Sequence, residues 1–318
     1  MAQPALQFDQ VSLSFGPVRA LDSLSVEVPP GVVAAVAGPD GAGKTSLLRL
    51  CLGLLAADSG SVRVLGHEMP ADAARVKPIV GYLPQRLGIM VHMTVRENLE
   101  YFGALLGVPR RTLRERMAEL LDITRLAPFA NRQAGHLSGG MKQKLALACA
   151  IVHHPRLILL DEPSTGLDPI SRRDLWELIY GLLDTGAPGG GDEQGSVLVA
   201  TPSWEEAERC QWLLVLEAGR AIFAGEPAAL RQQAEGRVWE AQVPASQTER
   251  LTSLDWVLQA SRRGRSLRLV VAPDAPESVG AAIEALVPGA RPRLVSPGLA
   301  DGAALLLRHQ AWTEASGP

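Results

Sequence analysis

At 318 residues the chain is long for a single hydrophobic core, and two domains are expected. Hydrophobic residues at 47% and charged residues at 20% describe an ordinary soluble globular protein, with no apolar run near the ~18–20 residues of a membrane span. A net charge of −3 gives no electrostatic case for nucleic acid, so no nucleic-acid partner is expected. MAQPALQFDQ lacks the basic-then-apolar pattern of a secretory signal. The cysteines, Cys51, Cys149 and Cys210, are odd in number and scattered, as expected of small core residues in a reducing compartment. A cytoplasmic location follows from these readings.

Leu6–Phe15 alternates as a strand does, and Leu24–Val28 reads as a second strand. Phe15 stands ahead of a glycine-rich stretch, either as a core residue or as a stacking surface for a nucleobase. Val32–Ala37 is a short apolar run suited to a buried strand. It leads into Gly38-Pro39-Asp40-Gly41-Ala42-Gly43-Lys44-Thr45, a full match to the phosphate-cradling P-loop, and Leu-rich Ser46–Leu55 then reads as a helix. Strand, glycine loop and helix together predict a nucleotide site. Successive backbone N–H groups converge on one anion, and the helix N-terminus adds positive potential. Lys44 is placed to reach the β- and γ-phosphates of a nucleotide, and the Thr45 hydroxyl to ligate Mg²⁺.

Asp58-Ser59-Gly60 reads as a turn, Ser61–Leu65 as a strand, and Lys77–Gln85 as a strand ending in Pro84-Gln85. From Thr94 to Arg132 the periodicity is helical, broken by Pro109 and Pro128, with Arg110, Arg111, Arg114 and Arg116 on a solvated face. Ser138 is an N-cap for a helix running through Val152, which leaves that helix N-terminus free to face an anion. Apolar Leu157–Leu160 ends in Asp161-Glu162, and a helix is expected over Pro169–Asp184. Residues 185–195 read as a flexible loop, 196–201 as a strand and Trp204–Cys210 as a short helix. Trp212–Leu216 and Ala221–Phe223 close this part as strands.

Residues 236–318 read as a small α+β unit without a catalytic constellation. Strands are expected at Val238–Val243, Trp256–Ala260, Ser266–Val271 and Pro292–Ser296, and helices at Glu277–Leu286 and Leu299–Arg308. Arg262, Arg263 and Arg265 read as solvated charges at a hairpin turn.

The order P-loop, Gln85, LSGG at 137–140, LILLDE at 157–162 and Ser164-Thr165-Gly166-Leu167-Asp168 resembles the ATP-binding subunit of ABC transporters over roughly residues 4–235. Within that family it is most similar to cassettes paired with ABC-2 type export permeases, which often carry a small C-terminal domain. Asp40, where asparagine is commoner, leaves the cradle intact. The resemblance implies an α/β fold: a P-loop NTPase cassette with a RecA-like core, an antiparallel β subdomain and a helical subdomain at about 86–136, followed by the 236–318 unit. It implies a head-to-tail cassette dimer, homomeric or heteromeric, seated on a multi-span permease at the cytoplasmic face of the membrane. ATP is expected against Phe15, Gly38–Thr45 and Ser46, with Mg²⁺ held by Thr45, Gln85 and Asp161. Glu162 is the implied general base, and Gln85 contacts the metal or the attacking water. Ser138, Gly139, Gly140 and Asp168 are implied to serve the partner's ATP.

In this family a histidine normally follows the threonine that ends the strand after the Asp168 helix. Here Thr201 is followed by Pro202, and none of the six histidines falls there. A proline offers no side-chain donor to a γ-phosphate, and one lost transition-state donor costs ~10²–10³ in rate by analogy with oxyanion holes. Slow hydrolysis, a heterodimer in which LSGG completes a better partner site, or substitution by Ser203 or a water are the alternatives. A regulatory nucleotide-binding protein of the same family, working without a permease, is the remaining one.

Overall fold

In the computed structural model, which describes residues 3–184 and 195–315, the alternating LQFDQVSLSF forms β1 (Leu6–Phe15). β2 (Val18–Val28) folds back on it antiparallel, pairing Phe15 with Val18 and Phe8 with Val26. It starts well before the expected Leu24. Polar Arg19, Asp22 and Ser23 and several register shifts hide the alternation. β3 (Val33–Ala37) is buried at every residue, as befits a strand covered on both faces, and the P-loop carries it into α1 (Lys44–Cys51).

β4 (Ser59–Val64) and β5 (His67–Met69) complete a four-stranded antiparallel sheet in the order β2-β1-β4-β5. Ser59 and Gly60, expected in a turn, belong to β4, where Ser59 pairs with Ser12. Gly60 has φ +84°, and a Cβ there would lie 2.4 Å from the carbonyl oxygens of Asp9 and Gln10. Only glycine lets the strands approach so closely.

After α2 (Ala73–Val76), β6 (Val80–Leu83) is shorter than expected because Lys77–Ile79 closes into a 3₁₀ turn. α3 (Val95–Leu105) opens with a capping box: Thr94 Oγ1 accepts from Glu97 N, and Glu97 Oε2 accepts from Thr94 N at 2.7 Å. α4 (Arg110–Ile123) packs on α3 where Gly103 admits Leu113. Arg110, Arg111 and Arg114 face solvent, but Arg116 is buried and pairs with Glu119 at 2.7 Å. Its position beside Leu113, Met117 and Leu120 on the inner face explains the departure.

α5 (Gly139–Ile151), β7 (Leu157–Asp161), α6 (Pro169–Asp184), β8 (Ser196–Thr201) and α7 (Trp204–Ala207) follow, then β9 (Trp212–Glu217) and β10 (Arg220–Gly225). The second sheet has the order β10-β9-β3-β8-β7-β6, with β9, β3, β8, β7 and β6 parallel. Its strand ends at Ala37, Leu83, Asp161 and Thr201 lie on one carboxyl edge, where open parallel sheets bind ligands. The expected loop at 185–195 falls, but for Gly195, outside the described residues.

The chain divides into two compact units, Met1–Ala221 and Ile222–Pro318. The second holds α8 (Pro227–Gln233), β11 (Val238–Gln242), α9 (Thr248–Thr252), β12 (Val257–Arg263), β13 (Ser266–Val271), α10 (Val279–Leu286), β14 (Arg293–Leu294) and α11 (Leu299–Ala315). Its sheet runs β12-β13-β11-β14, all antiparallel, over a core of Leu251, Leu267, Leu269, Val271 and Ile283. Arg262 is more than a solvated turn charge, since its guanidinium donates to Val243 O at 3.0 Å and to the Thr248 hydroxyl. Asp301 caps α11 by accepting from Gly298 N at 2.7 Å, and it pairs with Arg268. All three cysteines are buried free thiols, and burial pushes the Cys210 thiol up to about 12.

Candidate nucleotide site

The turn from β3 into α1 depends on two glycines. Gly43 has φ +107°, and a Cβ there would sit 2.4 Å from Ala20 O; at Gly38 it would sit 2.2 Å from Leu216 O. Both bring the loop backbone against neighbouring strands while the first N–H groups of α1 point out of the helix end. Buried Lys44 folds back over this loop, with Nζ donating to Gly38 O at 2.9 Å and Pro39 O at 2.8 Å.

An open cavity of about 320 Å³ runs from Phe15 and Val18 past Asp40, Gly41, Gly43 and Lys44–Ser46 to Gln85 and Glu162. Phe15 is 47% exposed at the tip of the β1–β2 hairpin, and Val18 beside it is 63% exposed. Val18 was not singled out by its sequence, because a lone valine past a turn carries no signal. Gly38, Pro39 and Ala42 shape the loop from behind without lining the cavity.

Asp161 lies behind Thr45, almost fully buried at the end of β7. Thr45 Oγ1 donates to its Oδ1 at 3.0 Å, and the Tyr82 hydroxyl stands 3.5 Å from Oδ2. Burial raises the Asp161 pKa; the Thr45 hydrogen bond works the other way, and the neighbouring Glu162 charge adds to the rise. A carboxylate, a hydroxyl and the Gln85 amide oxygen are hard donors suited to Mg²⁺, and a divalent cation would offset the burial penalty on Asp161. The residues present therefore fit that ion.

Glu162 has φ +49°, a conformation uncommon outside glycine, and its N–H donates to Ala200 O at 2.9 Å. The bend turns its side chain into the cavity. There Oε2 accepts from Gln85 Nε2 at 3.0 Å and from Thr165 Oγ1 at 3.1 Å. Thr165 stands in the Ser164–Asp168 motif, but its sequence assigned it no role.

Ser138, Gly139, Gly140 and Asp168 are not among the residues lining this cavity. Ser138 Oγ accepts from Met141 N at 3.3 Å and caps α5, leaving Gly139 exposed at the helix start. Gly140 is buried against α6: a Cβ there would meet Ser171 Oγ at 2.5 Å. Asp168 Oδ1 caps α6 through Ile170 N and Ser171 N, both at 3.0 Å, and a hydrogen bond from the Ser171 side chain, with these two behind it, holds its carboxyl below the usual range. Lys144 and Asp174, 2.9 Å apart, bridge the same two helices farther along.

At the end of β8, Pro202 is exposed while Thr201 is buried. Thr201 Oγ1 donates to Glu206 Oε2 at 2.6 Å, and the Ser164 hydroxyl donates to Glu206 Oε1. Arg172 Nε stands 4.0 Å from the same carboxylate. Glu206 looks like Glu205 and Glu208 in sequence; burial alone distinguishes it.

The ABC transporter family profile matches residues 21–165, from β2 past the P-loop and LSGG to Thr165. The probable multidrug ABC transporter ATP-binding protein YbhF of Escherichia coli (strain K12) is 38% identical over 260 residues, 80% of this chain and 44% of that protein. The chain thus spans less than half the length of that relative. The Nod factor export ATP-binding protein I of Paraburkholderia xenovorans is 41% identical over 231 residues, 72% of this chain and 73% of that protein. Among solved structures, cbiO1 from Clostridium perfringens, part of the ABC transporter complex cbiONQ, aligns with a TM-score of 0.65. At 21% identity over 74% of this chain and 93% of that one, it shares the fold.

Proposed function

The chain belongs to the ABC transporter family as an ATP-binding subunit, and from that premise we propose that it hydrolyses ATP to drive an ABC-2 type export permease. The observation that carries this reading is the single cavity on which Phe15, the P-loop, Gln85 and Glu162 converge. Export fits the multidrug and Nod factor relatives. In this reading Phe15 stacks on the nucleobase, the P-loop amides and Lys44 hold the phosphates, and Thr45, Asp161 and Gln85 hold Mg²⁺. The ion, when bound, neutralises charge on the phosphate oxygens.

Glu162 Oε1 takes a proton from a water molecule as the water oxygen bonds to the γ-phosphorus. The bond from that phosphorus to the β–γ bridging oxygen breaks, and its electron pair leaves on ADP, so ADP and inorganic phosphate result. Ser138, Gly139 and Asp168 face a second cassette, homomeric or heteromeric, whose own ATP they help enclose. One P-loop covers only one side of a triphosphate, so closure depends on nucleotide, and hydrolysis releases it.

An apolar groove of about 350 Å³ runs beside Pro84 and the α3 end, with Leu54 and Leu105 largely exposed at its rim. In this reading a permease segment anchors in that groove next to Gln85, and the permease holds the cassette at the cytoplasmic membrane face. Pro202 favours a second reading, in which this site turns over slowly or sits in a heterodimer beside a faster one.

The purified chain should bind ATP and release phosphate slowly. Lys44→Ala should lose binding, whereas Glu162→Gln should keep binding and lose turnover. Equal phosphate release by wild type and Glu162→Gln would overturn the hydrolytic assignment.

A further inference from the structure

Two donors meet one oxygen of the general base. Gln85 Nε2 and Thr165 Oγ1 lie 3.0 and 3.1 Å from Glu162 Oε2, and Oε1 accepts from neither. A carboxylate oxygen has room for about two in-plane donors. Oε2 is thereby filled, while Oε1 keeps its lone pairs for a water.

The local backbone explains why Thr165 can reach. Glu162, at φ +49°, and Gly166, at φ +77°, flank a tight return in which Thr165 N donates to Glu162 O at 3.3 Å. Within that return, Ser164 is buried and tied to Glu206, so the loop is pinned from inside while Thr165 stays exposed. Its hydroxyl supports no core packing. The Gln85 amide is also called on as a metal or water ligand, whereas among the described residues the Thr165 hydroxyl has the carboxylate alone.

We propose that Thr165 is a positioning residue for hydrolysis: its hydroxyl holds Glu162 Oε2 and thereby selects Oε1 as the oxygen that takes the proton. This rests on Glu162 being the general base. A free carboxylate turning about its terminal bond would present either oxygen in varied directions, and the fixed donor removes that freedom before water arrives.

The test is steady-state hydrolysis by the full chain with Mg²⁺ and ATP, in Thr165→Val, Thr165→Ser, Glu162→Gln and the Glu162→Gln/Thr165→Val double variant. Thr165→Val keeps the shape and loses the donor; it should lower kcat about 3–10-fold, the effect of one hydrogen bond, with KM for ATP unchanged. Thr165→Ser should restore the rate. In the Glu162→Gln background Thr165→Val should add nothing, because the group it orients has lost its function. An unchanged kcat in Thr165→Val, a change confined to KM, or an equal loss in both backgrounds overturns the assignment. Wild type no faster than Glu162→Gln would instead overturn the hydrolytic reading beneath it, and this assignment with it.

Discussion

The Thr45 hydroxyl donates to Asp161 Oδ1 across 3.0 Å, although 116 residues separate the two in sequence. The contact joins the first turn of α1 to the end of β7 and offsets only part of the burial penalty on the ionised Asp161 carboxylate. Its folded pKa is raised by burial, so the folded chain binds that proton more readily than the unfolded chain does. Ionised Asp161 therefore costs stability at neutral pH, and this cost is relieved as pH falls through the raised value, above the ordinary 3.8. Two outcomes follow. Asp161→Asn should raise the melting temperature of metal-free protein, and Mg²⁺ affinity in wild type should weaken on acidification before ordinary carboxylates titrate. Thermal melts and Mg²⁺ titrations across pH check both; a melting temperature lowered by Asp161→Asn contradicts the burial account.

Pro202 follows buried Thr201 at the carboxyl edge of the sheet and carries no side-chain donor. Pro202→His should raise kcat at least tenfold, toward the ~10²–10³ that one transition-state donor supplies elsewhere, with ATP affinity little changed. Vigorous turnover by the unmodified chain alone, with no gain in the variant, is the outcome that sinks this.

What the sequence disclosed and what it hid follow from range. The P-loop and LILLDE are local patterns: a few consecutive residue types carry strand, turn and chemistry together. Parallel strands β3, β7 and β8 were legible for the same reason, since strands buried on both faces read as unbroken apolar runs. Glu206 and Arg116 had no such mark. Each takes its meaning from burial, and identical residue types nearby remain in solvent. Thr165 stands in a recognisable motif three residues from Glu162, and only the geometry of its hydroxyl gives it a role. β2 was cut short for a related reason: Arg19, Asp22 and Ser23 break the alternation, and only pairing with β1 shows the strand continuing.

Glu206 makes a stability prediction. Its buried carboxylate accepts from Ser164 and Thr201, joining the loop after β7 to the end of β8. Glu206→Ala strands two hydroxyls and should cost about 1–3 kcal/mol each in the worst case, whereas Glu206→Gln keeps an acceptor and should lose less. Chemical denaturation midpoints of the two variants decide it, with equal midpoints counting against the network.

Gly140 ties the exposed start of α5 to α6. A Cβ there would stand 2.5 Å from Ser171 Oγ and 2.8 Å from Ser171 Cβ, so the serine side chain as a whole has to move. Ser171 N is also held by Asp168, which caps α6, so the displacement is passed to the segment expected to meet a second cassette. Gly140→Ala should therefore weaken ATP-dependent dimerisation of a slow-hydrolysing Glu162→Gln background while leaving ATP binding to the single chain near wild type. Ser171→Gly removes both clashing atoms and should restore part of the loss, about tenfold in dimer affinity if the overpacking is worth ~1–3 kcal/mol. Analytical ultracentrifugation with and without ATP reads the dimer, and nucleotide titration reads the monomer. If Gly140→Ala lowers nucleotide binding and dimerisation alike, and Ser171→Gly restores neither, the contact between α5 and α6 is not what shapes that surface.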